Sequence, residues 1–220
     1  MNNPARSRIL SNIRAALAKN PVRVEVPELE TPPARTIKER IGQLTSRMTA
    51  VRTQVFTAPV SGWTGHLKDI LIQKGINTLI YGPESEIGQA LVSDRNASSD
   101  GWPELIAYDK DIESFKQTLF ETDAAITGTR GGIADTGALI LWPDETEPRR
   151  MSLCPPIHIA VLDSRQIYTS LPEAMFAQHW ADGMPTNALL ISGPSKTADI
   201  ELIPAFGVHG PVELIVLLLE

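Results

Sequence analysis

The sequence predicts an α/β fold in which a largely parallel sheet is covered by helices on both faces. Strand-like apolar runs alternate with helical segments between residues 54 and 108, as parallel strands joined by crossover helices require. A wholly apolar run lies at residues 214–219, which is typical of a central strand covered on both faces. The composition is 42% hydrophobic and 21% charged, the balance of a globular domain.

The N-terminal region is predicted to be an arm over residues 1–35, ahead of one domain at 36–220. Apolar residues recur every four positions from Ile9, which predicts a helix over 4–19. This helix is basic, and two interpretations stay open: it packs on its own domain or a sister subunit, or it docks on an acidic partner or a membrane surface. Four prolines between positions 21 and 33 predict an extended linker, because proline fixes φ and lacks an N–H donor.

The remaining elements follow from hydrophobic period and turn residues. Helices are predicted over residues 36–50, 64–73, 84–92 and 172–180. Strands are predicted over residues 54–57, 78–81, 105–108, 124–127, 138–142, 157–162, 166–169, 188–192 and 214–219. After residue 122 the strands leave little room for helices, so hairpins or mixed pairing are expected there.

Composition and charge exclude several classes of function. A net charge of −6 does not favour binding to nucleic acid or to anionic membranes. The single cysteine, Cys154, rules out an internal disulfide, a cysteine-rich zinc site and a self-contained iron–sulfur cluster. No apolar run spans a bilayer and no secretory signal is recognisable. We therefore expect a cytoplasmic protein with no cofactor, no metal and no membrane insertion.

A glycine-rich segment, residues 128–137, lies between two predicted strands. Its spacing is not that of a dinucleotide-binding turn. Asp135 is its carboxylate and Arg130 is its cation. Two interpretations stay open: an anion-binding loop with Asp135 as nucleophile or base, or a turn in which Asp135 bonds its own backbone. The candidate binding residues of this segment are Arg130, Gly132, Thr136 and Gly137.

A second polar segment, residues 191–201, begins at the end of a strand predicted to be buried. Its Gly-Pro turn and polar residues predict a short helix capped by Ser195 or Thr197. Carboxylates at Asp199 and Glu201 would oppose an anion at that helix N-terminus, so a rigid polar turn or a carboxylate pair is favoured over a phosphate cradle. Asp199 is a candidate catalytic residue, and the candidate binding residues are Ser192, Gly193, Ser195, Lys196, Thr197 and Glu201.

Two histidines receive different interpretations. His209 lies in a glycine-containing segment just before the last strand, where a side chain that titrates near neutral pH suits general acid–base catalysis. The alternative is a histidine that hydrogen-bonds a loop carbonyl, and the adjacent Gly210 is a candidate binding residue. His158 alternates with isoleucines in a predicted strand, so it is interpreted as a partly buried structural histidine.

Taken together, these segments resemble the lactate-utilization (LUD) domain family, in particular its LutC/YkgG type. The resemblance is carried by residues 132–137, 152–158, 191–201 and 207–211. It implies a fold like that of ribose-5-phosphate isomerase and the CoA transferases (the NagB/RpiA/CoA transferase-like fold). It also implies a role in oxidising L-lactate to pyruvate with two partners, an iron–sulfur protein and a cysteine-rich protein.

Three functions are weighed on this basis. The first is a subunit of a lactate-oxidising system, which binds L-lactate itself or leaves that to a partner, as a monomer or a homo-oligomer. The second is an independent CoA-transferase-like or sugar-phosphate-isomerase-like enzyme using Asp135, Asp199 or His209. The third is an assembly or regulatory module without chemistry. The missing nicotinamide fingerprint and cluster ligands favour the first and third over a self-contained redox enzyme.

The three polar segments are expected to converge on one cleft. Each lies at the end of a predicted strand, and ligand sites of open α/β sheets gather at strand carboxyl ends. The fixed charges of such a cleft would be two cations against three carboxylates, a net charge of −1, contributed by Arg130, Lys196, Asp135, Asp199 and Glu201. That balance predicts weak binding of free L-lactate by the isolated chain.

Overall fold

The computed structural model describes residues 4–19, 35–109, 112–198, 204–206 and 210–220. The chain divides into two units, Met1–Pro33 and Ala34–Glu220. In the first unit Pro4–Lys19 forms helix α1, as the four-residue period predicted. The predicted proline linker lies outside the described residues.

The second unit is built on a six-stranded, wholly parallel sheet, which confirms the predicted α/β class. The strand order is β1-β12-β7-β4-β2-β3. These strands are β1 (Gln54–Ala58), β2 (Thr78–Tyr81), β3 (Glu104–Ala107), β4 (Ala124–Gly128), β7 (Ile157–Asp163) and β12 (Glu213–Leu219). The helices of this unit are α2 (Ile37–Ala50), α3 (Trp63–Lys74), α4 (Glu86–Ala97), α5 (Ile112–Glu121) and α6 (Leu171–Ala177).

The sheet has a hydrophobic core on each face, because alternate strand residues point to opposite sides. Along β12, Ile215, Leu217 and Leu219 join a core with residues of α3 and α4. Leu214, Val216 and Leu218 join a core with Leu44 and Met48 of α2. Both sets are buried, so β12 is covered on both faces, as its apolar sequence predicted.

A second, four-stranded sheet lies on the α2 face. Its order is β8-β5-β6-β9, where β5 is Gly131–Ile133, β6 is Ala138–Leu141, β8 is Ile167–Tyr168 and β9 is Leu189–Ile191. β6 pairs antiparallel with both β5 and β9, and β5 pairs parallel with β8. The mixed pairing expected after residue 122 is therefore present. The glycine-rich segment read as a loop contains strand β5 instead.

Glycine at position 131 is required by how closely β5 approaches the chain before β8. Gly131 has a φ of +146°, and a Cβ there would lie 2.4 Å from the carbonyl oxygen of Gln166. A side chain would therefore clash with backbone, which explains why glycines occur inside a strand here.

Three further elements differ from the sequence expectations. Helix α5 was not predicted. Strand β9 is not buried, since Leu190 at its centre is 50% exposed. Residues after the Gly-Pro turn form strand β10 (Lys196–Ala198), paired antiparallel with β11 (Pro204–Phe206), and not the helix that a Ser195 or Thr197 cap predicted. Capping residues alone do not distinguish a helix start from a hairpin, because serine and threonine also favour turns.

Helix α2 begins at a capping box. The Thr36 hydroxyl accepts from the Glu39 backbone N–H at 3.3 Å, and the Glu39 carboxylate accepts from the Thr36 N–H at 2.8 Å. Both bonds satisfy N–H groups that the helix leaves unpaired. The Thr36 N–H and the Thr36 hydroxyl both donate to the Glu39 carboxylate at 2.8 Å, and these two bonds lower the pKa of Glu39. The cap fixes where α2 starts and hence how its buried face meets the sheet.

We expect Thr36→Ala to lower the free energy of unfolding by about 1 kcal/mol, because the helix loses its cap. Urea denaturation followed by circular dichroism measures the change. Ser46→Ala, an exposed substitution within the same helix, should change stability by less than about 0.5 kcal/mol. Equal effects of the two substitutions would contradict the role of the cap.

Candidate functional site

A cleft of about 600 Å³ lies at the amino ends of three parallel strands. His158 and Leu214, the second residues of β7 and β12, lie on its inner side, and the C-terminus of α2 leads into it. The other lining residues come mainly from the segments around β9 and β10 and from residues before β12. The lining residues are Ala50, Val51, Arg52, Ser152, Leu153, His158, 190–196, Gly210, Pro211 and Leu214.

Two glycines let the walls of this cleft approach one another. A Cβ at Gly210 would lie 3.0 Å from Cβ of Ser195. A Cβ at Gly193 would lie 3.0 Å from the Val51 side chain and 3.1 Å from its carbonyl oxygen. The Ser195 N–H also donates to the Pro211 carbonyl at 2.8 Å. The segment before β12 is thereby held against the turn that follows β9.

His158 is a fully buried polar residue in the lining of the cleft. Its side chain is 0% exposed, and Nε2 lies 2.9 Å from Oγ1 of Thr127. Nδ1 is buried and has no hydrogen-bond partner among the described residues. Burial lowers the pKa of His158 to about 4, so the imidazole is neutral at pH 7. The sequence analysis interpreted His158 as a structural histidine and did not predict that it lies beside a cleft. Alternation along a strand predicts that a residue is buried, but it does not predict what lies beyond the end of the strand.

Two basic residues line this cleft. Arg52 and Lys196 line it, and no carboxylate does so within the described part of the chain. Arg52 has a positive φ of 71°, an uncommon backbone conformation for a residue other than glycine. The net charge of −1 predicted from the sequence therefore does not apply to this lining, because Arg130 and Asp135 do not line the cleft.

The predicted site residues of the 191–201 segment and of the segment before β12 divide into three groups. Ser192, Gly193, Ser195, Lys196 and Gly210 line the cleft together. Thr197 lies in β10. Asp199, Glu201 and His209 lie outside the described residues, so their catalytic and binding roles stay predictions.

The glycine-rich segment does not line this cleft, which corrects the expectation of three converging segments. The Asp135 carboxylate accepts hydrogen bonds from Nη1 of Arg35 at 2.5 Å and from Nε2 of Gln43 at 3.3 Å. Its backbone N–H donates to the Thr169 carbonyl at 3.0 Å. Asp135 therefore links the β5–β6 turn to the start of α2. Arg35 and Asp135 are 100 positions apart in the chain, so no local sequence pattern predicts that they pair.

Three other predicted residues of that segment have packing or backbone roles. Arg130 stacks over the Trp142 ring, with its guanidinium carbon 4.7 Å from the ring centroid. A Cβ at Gly132 would lie 3.2 Å from Leu44, and Gly137 has a φ of +65° in the turn. Thr136 is exposed. Arg130, Gly132 and Gly137 therefore have structural contacts, and their predicted binding roles stay predictions.

The ion pair between Asp135 and Arg35 should contribute to stability. We expect Asp135→Asn to lower the free energy of unfolding by about 0.5–1 kcal/mol, the range for a partly exposed ion pair. The loss should shrink when Arg35 is already replaced by Met, and a double-mutant cycle measures this coupling. Additive effects would show that the pair contributes nothing to stability.

A second cavity, of about 350 Å³, lies at the carboxyl edge of the sheet, where sequence reasoning placed the site. It is lined by Pro83, Glu84, Tyr108, Asp109, Glu145 and Thr146. Beside it, the Glu147 carboxylate accepts from the Gly128 N–H at 2.8 Å, and burial raises the pKa of Glu147. The acidic lining disfavours an organic acid there. No sequence pattern points to Glu147, since its burial depends on contacts between separate loops.

Neither of two other common features is present in the described part of the chain. No three histidine, cysteine, aspartate or glutamate side chains there form a group suited to a metal ion. No described helix is long and apolar enough to cross a membrane.

Comparison with known proteins identifies the family. The model of the LUD domain matches residues 41–219. The chain belongs to the LUD domain family. A protein of Neisseria meningitidis serogroup B described as uncharacterized is 37% identical over 181 residues, which cover 81% of this chain and 76% of the relative. The family resemblance seen in the sequence is thereby confirmed.

One further relative and one solved structure extend the comparison. Lactate utilization protein C of Bacillus licheniformis is 24% identical over 226 residues, which cover 97% of this chain and 92% of the relative. The crystal structure of a DUF162 family protein from Deinococcus radiodurans matches with a TM-score of 0.60 at 19% identity, covering 85% of this chain and 100% of that one. The structural likeness supports the fold described above.

Proposed function

We propose that this chain is a cytoplasmic component of an L-lactate utilisation system, which oxidises L-lactate to pyruvate together with an iron–sulfur protein and a cysteine-rich protein. The observation that carries the proposal is the alignment, over 97% of this chain, with a relative named lactate utilization protein C. Membership of the LUD domain family supports it.

The cysteine content argues for a division of labour in that system. Oxidation of lactate to pyruvate releases two electrons and two protons, and the electrons need an acceptor. This chain has one cysteine, whereas an iron–sulfur cluster uses about four cysteine ligands. Burial raises the pKa of the Cys154 thiol, which keeps it protonated and poorly nucleophilic. The partners would therefore transfer the electrons.

The proposal is tested by reconstitution. The tagged chain is isolated from its lactate-grown host, co-purifying proteins are identified, and L-lactate oxidation with an artificial electron acceptor is measured with and without the chain. We expect both partner proteins to co-purify and the oxidation rate to fall at least tenfold when the chain is left out. Full activity of the two partners without the chain would overturn the proposal.

Free L-lactate should bind the isolated chain weakly. We expect calorimetric titration to give a dissociation constant in the millimolar range or above, equivalent to at most about 4 kcal/mol. The physical reason is size, because a single methyl group contacts little of a cleft of about 600 Å³. A micromolar constant would show that this chain alone holds the lactate site.

A further inference from the structure

Helix α1 (Pro4–Lys19) presents an exposed apolar stripe. Ile9, Ile13 and Leu17 recur every four residues along one face of the helix, and Leu10 lies beside them. These four side chains are between 37% and 58% exposed, and no residue of α1 is buried. Most of the stability of a helix in a protein comes from packing of its amphipathic face. We therefore expect the stripe to contact an apolar surface.

The charged side chains of α1 all have the same sign. They are Arg6, Arg8, Arg14 and Lys19, and the helix contains no aspartate or glutamate. All four are exposed. No ion pair joins them to a carboxylate in the part of the chain that the structure describes. The helix therefore carries four positive charges that no described carboxylate compensates.

The cations border the apolar stripe. Arg14 follows Leu10 by four positions, so it lies one turn further along on the Leu10 side. Arg8 and Lys19 are eleven positions apart, which is about three helical turns, so both lie on the opposite side of the stripe. Arg6 lies at its N-terminal end. Because lysine and arginine have long apolar stems, their charged heads can reach outwards while the stripe contacts an apolar layer.

An anionic lipid bilayer fits this arrangement better than a groove in a partner protein. Lipid headgroups offer negative charge along both sides of the stripe at once, and the acyl chains lie directly beneath them. A protein groove would need carboxylates on both rims, and the anchors in such grooves are commonly tryptophan or tyrosine, which α1 lacks. No described helix is long and apolar enough to cross a membrane, so the contact would lie in the plane of the surface.

The net charge of −6 does not oppose this contact. Residues 1–24 contain five basic and no acidic residues, which leaves a net charge of −11 on residues 25–220. At physiological ionic strength the field of an exposed charge is screened beyond about 8 Å. The charge of the segment that touches the surface therefore decides the sign of the interaction, and the net charge of the whole chain does not.

We propose that α1 binds the surface of an anionic lipid bilayer. The helix lies in the plane of the bilayer, with Ile9, Ile13 and Leu17 against the acyl chains and its cations at the headgroup phosphates. The chain is thereby held at a membrane surface without crossing it. This inference does not depend on the role in lactate utilisation.

The test is co-sedimentation of the full chain with lipid vesicles. One set of vesicles contains phosphatidylcholine with about 30% phosphatidylglycerol, and the other contains phosphatidylcholine alone. At about 0.1 M NaCl we expect the partition coefficient to be at least about twentyfold larger for the anionic set, since each cation near an anionic leaflet strengthens binding roughly fivefold. Raising NaCl to about 0.5 M should remove most of this difference.

Substitutions locate the contact. Ile13→Gln removes an aliphatic side chain from the stripe and should weaken binding to the anionic vesicles about tenfold or more. Ser11→Gln is the matched control, because Ser11 lies on the opposite face of the same helix, and its binding should stay within about twofold. Arg14→Gln should weaken binding about fivefold. Lys38→Gln, which removes an exposed lysine of α2, should leave binding unchanged.

The outcomes separate this proposal from the proposed function. Equal binding to both vesicle sets, no binding to the anionic set, or equal effects of Ile13→Gln and Ser11→Gln would each overturn it. Co-purification of a protein that is lost in Ile13→Gln, without any vesicle binding, would assign the stripe to a protein partner and would overturn it too. Failure of the partners to co-purify would overturn the role in lactate utilisation and would leave the vesicle results as they stand.

Discussion

Replacing Gly88 by alanine should lower the free energy of unfolding by more than about 3 kcal/mol. Gly88 lies in the first turn of α4, where its N–H donates to the Ser85 hydroxyl at 3.0 Å. A Cβ at this position would lie 1.9 Å from the carbonyl oxygen of Gly82 and 2.9 Å from the Tyr81 ring. Backbone cannot move aside as a flexible side chain can, so α4 would have to shift away from the end of β2.

The matched control for this substitution is Gly65→Ala. Gly65 occupies the equivalent position in the first turn of α3, and a Cβ there would meet nothing within 4 Å. Alanine is the better helix former, so this change should be neutral or stabilising by up to about 1 kcal/mol. Urea denaturation of both variants gives the comparison. A small loss at Gly88 would show that α4 is not held tightly against Gly82.

The sequence predicted most of the main sheet because each of its strands has a local signal. The apolar run at β12 and the alternation of strands and helices from β1 to β3 follow from residues that are neighbours in the chain. The cap of α2 is also a local feature, since Thr36 and Glu39 are three positions apart. Sequence patterns are sufficient to predict an element when contacts between neighbouring residues determine its structure.

The site was harder to predict because its geometry depends on contacts between distant segments. The prediction that polar segments meet at strand carboxyl ends was wrong for the cleft around His158, which lies at amino ends. Glycines at 132 and 137 looked like parts of a ligand loop, yet they allow close packing against α2. A glycine in a sequence indicates close approach or an unusual φ, but not whether the approaching group is a ligand or the protein itself.

Acidification from pH 7.5 to pH 5 should lower the free energy of unfolding by about 2 kcal/mol through His158 alone. Burial lowers the pKa of His158 from 6.5 to about 4 in the folded chain. Between those two values the unfolded chain binds a proton that the folded chain does not, so stability falls as the pH falls through this window. The full contribution is present above pH 6.5 and is lost by about pH 4.

The buried carboxyl group of Glu147 has the opposite effect on the pH dependence of stability. Burial raises the pKa of Glu147, so the folded chain holds this proton to higher pH than the unfolded chain does. Glu147 therefore adds stability as the pH falls, and that contribution is lost as the pH rises. The lowered pKa values of Asp144 and Asp163 act mainly below the histidine window.

Substitution isolates the histidine contribution from these carboxylates. Unfolding curves in urea are measured at pH 7.5, 6.5, 5.5 and 5.0 for the unmodified chain, His158→Gln and Glu147→Gln. In His158→Gln the loss on acidification should shrink by about 2 kcal/mol, even though the variant is less stable at pH 7.5 because Thr127 loses its histidine partner. In Glu147→Gln the loss should become larger. An unchanged pH slope in His158→Gln would mean that the folded chain protonates His158 as readily as the unfolded chain does, and that the imidazole is not held neutral beside the cleft.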